Sequence, residues 1–137
     1  MDTNFSKSCY IIAEIGLNHN GDYTLAKDSV IAAAKAGANA VKFQNFVTED
    51  FLSDKSILHT YKNCDKEVTE PLFDICKRSE FKVEWLPALI KLCDELGVVF
   101  LSTPTSENGV DDLISHGVKY IKNGSDYLSH IPLLKYM

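Results

Sequence analysis

The chain has 137 residues, 45% hydrophobic and 24% charged, enough for one domain with a real core and outside the disordered and fibrous classes. Its formal net charge is −5, with fourteen Lys and Arg scattered along the chain, which argues against a general nucleic-acid surface and requires any bound anion to be held by a local site. The first nine residues are mostly polar and the apolar run at 9–13 is far too short for a signal-peptide core or a membrane span, so a cytoplasmic protein with no membrane partner is expected.

Residues 9–15 form a near-continuous apolar run broken by one acid, Glu14, and such runs suit a parallel strand buried on both faces. A lone carboxylate in that setting is costly unless it is paired, protonated or turned toward a polar cavity. Glu14 therefore sits either at a solvated strand end or facing such a cavity. Gly16 and the Asn20-Gly21 pair mark a loop. A helix follows, with Thr24 as N-cap and Leu25, Ala26, Ser29, Val30, Ala33 and Ala34 on one face. Gly37 stops it, because glycine takes the left-handed C-terminal conformation without a Cβ penalty. The next strand, residues 40–44, alternates Val41 and Phe43 with Lys42 and Gln44. A helix-covered strand can afford that polar second face only if the face lines an inward cavity.

Residues 45–82 carry the weakest pattern. Stretches 53–55 and 62–69 read as loop, and residues 71–78 as a short helix beginning with Pro71. Residues 84–96 form the clearest helix, with Leu89, Leu92, Cys93 and Leu96 on one face and Trp85 and Pro87 in the first turn. Trp85 reads as a packing anchor. Gly97 ends the helix, and residues 98–101 form a third buried strand ending in Ser102-Thr103-Pro104. After Ser106 a short helix with Val110, Leu113 and Ile114 on one face ends at Gly117. A fourth strand at 118–121 leads into Lys122-Asn123-Gly124-Ser125, and a last helix covers 128–137, with Pro132 in its first turn. Four cysteines, Cys9, Cys64, Cys76 and Cys93, lack Cys-x-x-Cys spacing and read as reduced small hydrophobes rather than a zinc site or disulfide frame.

Alternating βα units with polar residues at the strand ends predict a parallel α/β sheet with its site at the carboxyl edge, either a (β/α)8 barrel or a doubly wound sheet. The Gly16-to-Gly21 loop lacks both the dinucleotide fingerprint and the Lys-Ser/Thr end of a P-loop, which favours the barrel. Lys42 and Lys122, with the hydroxyls of Thr103 and Ser125 and backbone amides near Gly124, make a compact pocket for a phosphate or carboxylate. Singly, each is an ordinary strand-end polar residue; their recurrence carries the reading.

Four motifs in order, Ala13-Glu14-Ile15-Gly16-x-Asn18-His19-x-Gly21, Val41-Lys42-Phe43-Gln44, Leu101-Ser102-Thr103-Pro104 and Tyr120-Ile121-Lys122-x-Gly124-Ser125, resemble the sialic acid synthase family, including its legionaminic and pseudaminic acid relatives. The resemblance implies the N-terminal half of a (β/α)8 TIM barrel, about four βα units with parallel strands, spanning residues 1–137. A complete barrel takes about 250 residues, and the family adds a C-terminal antifreeze-like domain, so the remaining strands and that domain are expected to be absent. The implied reaction condenses phosphoenolpyruvate with an N-acylated amino sugar such as N-acetylmannosamine, giving a nonulosonic acid and phosphate. Carried over by motif, Lys42, Thr103, Lys122 and Ser125 bind phosphoenolpyruvate, Gln44 contacts the amino sugar, and Glu14 is catalytic, moving protons near the aldehyde. A divalent metal, Mn2+ or Mg2+, is expected to polarise that aldehyde. Its histidine ligands belong to later strands, and His19, His59, His116 and His130 do not occupy those motifs. Tyr127 stands where the family commonly has an acid, Asn123 replaces an apolar residue, and Thr105 replaces an aromatic. An open half barrel leaves unpaired edges, so a homodimer or completion by another chain is a further expectation. The alternative is a catalytically inactive truncated remnant or assembly module; another phosphate-binding barrel, such as an aldolase, fits the fold but not the ordered motifs.

Overall fold

In the computed structural model, which describes residues 9–137, the chain runs β1 (Ile12–Gly16), α1 (Tyr23–Lys35), β2 (Ala40–Asn45), α2 (Thr48–Phe51), β3 (Leu58–Asn63), β4 (Lys66–Pro71), α3 (Leu72–Arg78), a 3-10 turn (Val83–Trp85), α4 (Leu86–Leu96), β5 (Val99–Pro104), α5 (Glu107–Ser115), a second 3-10 turn (Ser125–Tyr127) and α6 (Ile131–Tyr136). Strands β1, β2 and β5 form one parallel sheet with β2 in the middle. Helices α1 and α4 cover one face, packing Ala26, Val30, Leu86, Leu89 and Cys93 against Val41, Phe43 and Phe100. Because side chains alternate along β2, burying Val41 and Phe43 under the helices sends Lys42 and Gln44 to the opposite face.

The helix signals need small corrections. Asp22, not Thr24, caps α1, and its Oδ1 accepts from the amides of Thr24 (2.6 Å) and Leu25 (3.3 Å). A carboxylate is the stronger acceptor there, because it also meets the positive end of the helix dipole. Leu25, Leu96 and Ile114 fall on the predicted apolar faces yet are exposed. They lie at the rims of stripes whose centres are Ala26 and Val30, Leu86, Leu89 and Cys93, and Val110 and Leu113. Helix α3 starts at Leu72, with Pro71 outside it as the N-cap, and α6 starts at Ile131, later than residue 128. Gly97 adopts φ +70 directly after α4, the left-handed stop expected of it.

Both sheet edges differ from the reading of fully buried strands. Tyr10, Ile11 and Ile12 are exposed, because β1 is an edge strand and only its Ile15 end reaches the core. The predicted strand at 118–121 shrinks to a single parallel bridge between Ser102 and Ile121, backed by the Lys122 amide donating to Ser102 O at 3.0 Å. With a neighbour on one side only, that segment has half the ladder a central strand enjoys.

Residues 62–69 are not loop. They belong to an antiparallel β3–β4 hairpin that turns through Cys64 and Asp65. Its sides are mostly exposed, so no apolar alternation announces it in the sequence. Polar contacts hold it instead: Arg78 clamps Glu70 through two 2.6 Å hydrogen bonds, and Tyr61 donates to the same carboxylate at 2.7 Å. The four cysteines are free thiols. Only Cys93 is a core hydrophobe, its thiol pushed up to about 12 chiefly by burial; Cys9 and Cys64 are exposed because they lie at an edge and a hairpin turn.

His19 is fully buried among Phe43, Phe81 and Trp85. Its Nδ1 accepts from the Gly21 amide at 3.1 Å, so the neutral ring carries its proton on Nε2. Burial lowers its pKa from 6.5. Below pH 6.5 the unfolded chain therefore takes up a proton that the folded chain refuses, and stability falls from that pH down to the lowered folded value. The slope approaches about 1.4 kcal/mol per pH unit. Urea melts at pH 7.5, 6.5 and 5.5 check this: His19→Gln is expected to lose the acid-dependent part of the decline, and equal slopes in the two proteins would contradict it.

Candidate functional site

The strand register brings the predicted polar residues together. Glu14 is the partner of Lys42 across β1–β2, and Gln44 is the partner of Thr103 across β2–β5. The Lys42 ammonium forms an ion pair with Glu14 Oε2, and Gln44 Nε2 makes a long 3.5 Å hydrogen bond to Glu14 Oε1. A bulge at Ile15 shifts the β1–β2 register immediately after this pair, before the last partners, Gly16 and Phe43. Glu14 is not buried as the apolar run suggests: its side chain is 48% exposed, against 10% for Lys42. The edge position of β1 gives the carboxylate water, while the central position of β2, between β1 and β5, encloses the lysine stem.

Lys42, Gln44, Thr103, Lys122 and Ser125 line one cavity of about 120 Å3 at the carboxyl ends of the strands, closed by Gly124, Asp126 and Tyr127. Five of the six sequence-predicted site residues thus share one space, and the sixth, Glu14, is tied to its lysine. Thr103 is buried and its Oγ1 has no hydrogen-bond partner. Lys122 is exposed, its Nζ donating to Asn123 O at 2.9 Å. Gly124 packs against Thr103 and Tyr127, and a Cβ there would lie 3.4 Å from Thr103 Cγ2, at the near edge of ordinary contact. Both polar atoms of the Asn123 amide are buried without a partner, a cost that an apolar side chain would not carry.

A larger cavity, about 470 Å3, opens between the α2–α3 excursion and the start of α5, and holds none of the six residues. Two of its cations are paired with carboxylates, Lys77 with Glu49 and Glu80 and Arg78 with Glu70, and the third, Lys82, lies over the Trp85 ring. The smaller cavity is the better site on chemical grounds, since two lysines and the unpartnered buried hydroxyl of Thr103 line it. Among the described residues no group of three or more His, Cys, Asp or Glu side chains could hold a metal ion. The divalent metal implied by the sequence resemblance therefore finds no ligand set among them. Nor is any helix of the described residues long and apolar enough to cross a membrane.

The sequence reading missed what braces the site. Asn45 points away from the cavity, where its Oδ1 accepts from Ser102 Oγ at 2.8 Å and its Nδ2 donates to Gly109 O at 3.0 Å. This amide ties the ends of β2 and β5 to α5, one residue from Gln44 and Thr103. An amide on the helix-covered face was the only available signal. Asn45→Ala strands a buried hydroxyl and a buried carbonyl, and is expected to cost about 2–3 kcal/mol in urea unfolding; a loss below about 1 kcal/mol would count against the brace.

Residues 29–137 match the NeuB family. The chain belongs to that family. It is 37% identical over 96% of its length to N,N'-diacetyllegionaminic acid synthase of Legionella pneumophila, covering 37% of that protein. It is equally 37% identical, over 93% of its length, to the spore coat polysaccharide biosynthesis protein SpsE of Bacillus subtilis, covering 34% of it. The solved N-acetylneuraminic acid synthetase of Leptospira borgpetersenii, in complex with citrate, superposes with a TM-score of 0.78 at 30% identity, covering 93% of this chain and 40% of that one. This NeuB-family chain thus spans about a third of the length of the curated relatives it matches. Its parallel strands and alternating βα units are the N-terminal part of a (β/α)8 barrel. The exposed apolar residues of β1 and the thin Ile121 edge are the sides on which a barrel continues.

Proposed function

We propose that this chain supplies the phosphoenolpyruvate-binding part of a nonulosonic acid synthase, which condenses phosphoenolpyruvate with an N-acylated amino sugar such as N-acetylmannosamine and releases phosphate. The observation that carries the reading is the cavity shared by Lys42, Thr103, Lys122 and Ser125. Phosphoenolpyruvate carries a phosphate and a carboxylate, and two ammonium groups with neighbouring hydroxyls are the donors such an anion needs. Gln44, between Glu14 and the cavity, offers an amide to the hydroxyl or N-acyl groups of the sugar. Glu14, half-exposed yet hydrogen-bonded, is the proton-moving carboxylate at the boundary between the two substrates. Family membership supports a synthase-type role for the complete protein, and it supports reading this chain as the first part of a barrel domain.

Calorimetric titration with phosphoenolpyruvate tests this. Binding is expected, competed by inorganic phosphate, with Lys122→Ala weakening it about tenfold, the value of one charge-assisted hydrogen bond. Binding that ignores both phosphate and Lys122→Ala would contradict the reading. A phosphate-release assay with phosphoenolpyruvate, N-acetylmannosamine and manganese then separates turnover from binding alone.

A further inference from the structure

A second threonine on the cavity wall has no role in either the strand-end pattern or the family resemblance. Thr105 follows Pro104 at the end of β5 and lines the same cavity as Lys42, Thr103 and Lys122. Its Oγ1 is buried without a hydrogen-bond partner, and so is that of Thr103, two residues earlier. A fold leaves a hydroxyl in that condition at a cost, and here two of them belong to residues that line the same cavity as two lysines.

Lysine ammonium groups only donate hydrogen bonds, and a threonine hydroxyl can donate as well. What completes the set is an acceptor-rich group. The cavity, about 120 Å3, has room for a small oxyanion, since about 10–15 Å3 of such space already admits one water. We propose that Thr105 is a ligand-binding residue, its hydroxyl acting with that of Thr103 as a pair of donors to the phosphate or carboxylate held between Lys42 and Lys122. This rests on the reading of the cavity as an oxyanion site. It adds a contact outside the residues carried over from the family motifs.

The proposal predicts opposite movements of two quantities. Thr105→Val keeps the branched shape but removes the hydroxyl. It should weaken oxyanion binding about tenfold while leaving the melting temperature of the ligand-free chain equal or higher, because an unpartnered buried polar atom is gone. Thr105→Ser, which keeps the hydroxyl, should recover the affinity to within about threefold. Calorimetric titrations of the full chain with inorganic phosphate, pyruvate and phosphoenolpyruvate, with thermal melts of each variant, read both. A loss for phosphoenolpyruvate that is shared by only one of phosphate and pyruvate upholds the proposal and says which end of the ligand the hydroxyl meets. Phosphoenolpyruvate binding that Thr105→Val leaves unchanged overturns the Thr105 assignment alone. So does a melting temperature lowered by several degrees, which would reveal an internal partner. Phosphate binding that depends on Thr105, in a chain that does not bind phosphoenolpyruvate, upholds Thr105 and sinks the phosphoenolpyruvate reading. A chain that binds none of the three overturns both.

Discussion

Alanine at Gly21 is expected to destabilise the fold by about 3 kcal/mol or more, the range in which a misplaced backbone atom adds to conformational strain. Gly21 has φ +71, and a Cβ built on it would sit 2.1 Å from the carbonyl oxygen of Arg78. That obstacle is backbone and cannot rotate aside. Relief requires moving either the end of α3, which Arg78 also fastens to the hairpin through Glu70, or the 16–22 loop. The loop is no freer, because the Gly21 amide is bonded to the buried His19 ring. Urea unfolding measures the effect directly, and a loss below about 1 kcal/mol would mean that the loop and α3 are less tightly joined than the geometry requires.

Glu14→Gln and Lys42→Met are expected to act in opposite ways on stability and on binding. The pair is asymmetric, since the Lys42 side chain is 10% exposed and that of Glu14 48%. Removing the carboxylate leaves an enclosed ammonium facing a neutral amide, at a cost of about 1–3 kcal/mol after discounting for the solvent around Glu14. Removing the ammonium instead leaves a carboxylate that water can reach, and methionine fills the enclosed stem; the stability loss should stay below about 1 kcal/mol. Ligand binding inverts the order. Lys42→Met should weaken phosphoenolpyruvate binding about a hundredfold, equivalent to about 3 kcal/mol at the upper end for a charged hydrogen bond. Glu14→Gln should keep it, and lose turnover in the complete synthase. Equal effects on binding would show that the two residues serve only each other.

The residues of the site were readable because their chemistry breaks a strong local pattern. Lys42 and Gln44 interrupt an apolar strand at every second position, and the structure turns that alternation into one face under helices and one lining a cavity. Glycines after the apolar stripes likewise marked the helix ends, since little else tolerates φ near +70. The features that escaped are those whose cause is not local. The β3–β4 hairpin is held by a Tyr61–Glu70–Arg78 cluster rather than by an apolar face. The exposure of Tyr10, Ile11 and Ile12 depends on which strand lies at the edge, and Val118 and Ile121 have strand character but one neighbour to pair with. Glu14 belongs to both classes: its isolation in an apolar run signalled a role, but its half-exposed state follows from the edge position of β1.

The proposed function requires phosphoenolpyruvate to be held between two lysines at the carboxyl edge of this sheet. Titrating phosphoenolpyruvate into the wild-type chain and into a Lys42→Met, Lys122→Met double variant, with folding of both verified by circular dichroism, measures that claim most directly. Saturable binding to the wild type and none to the double variant is the predicted result. Binding of equal strength to both would place the ligand elsewhere and contradict the account.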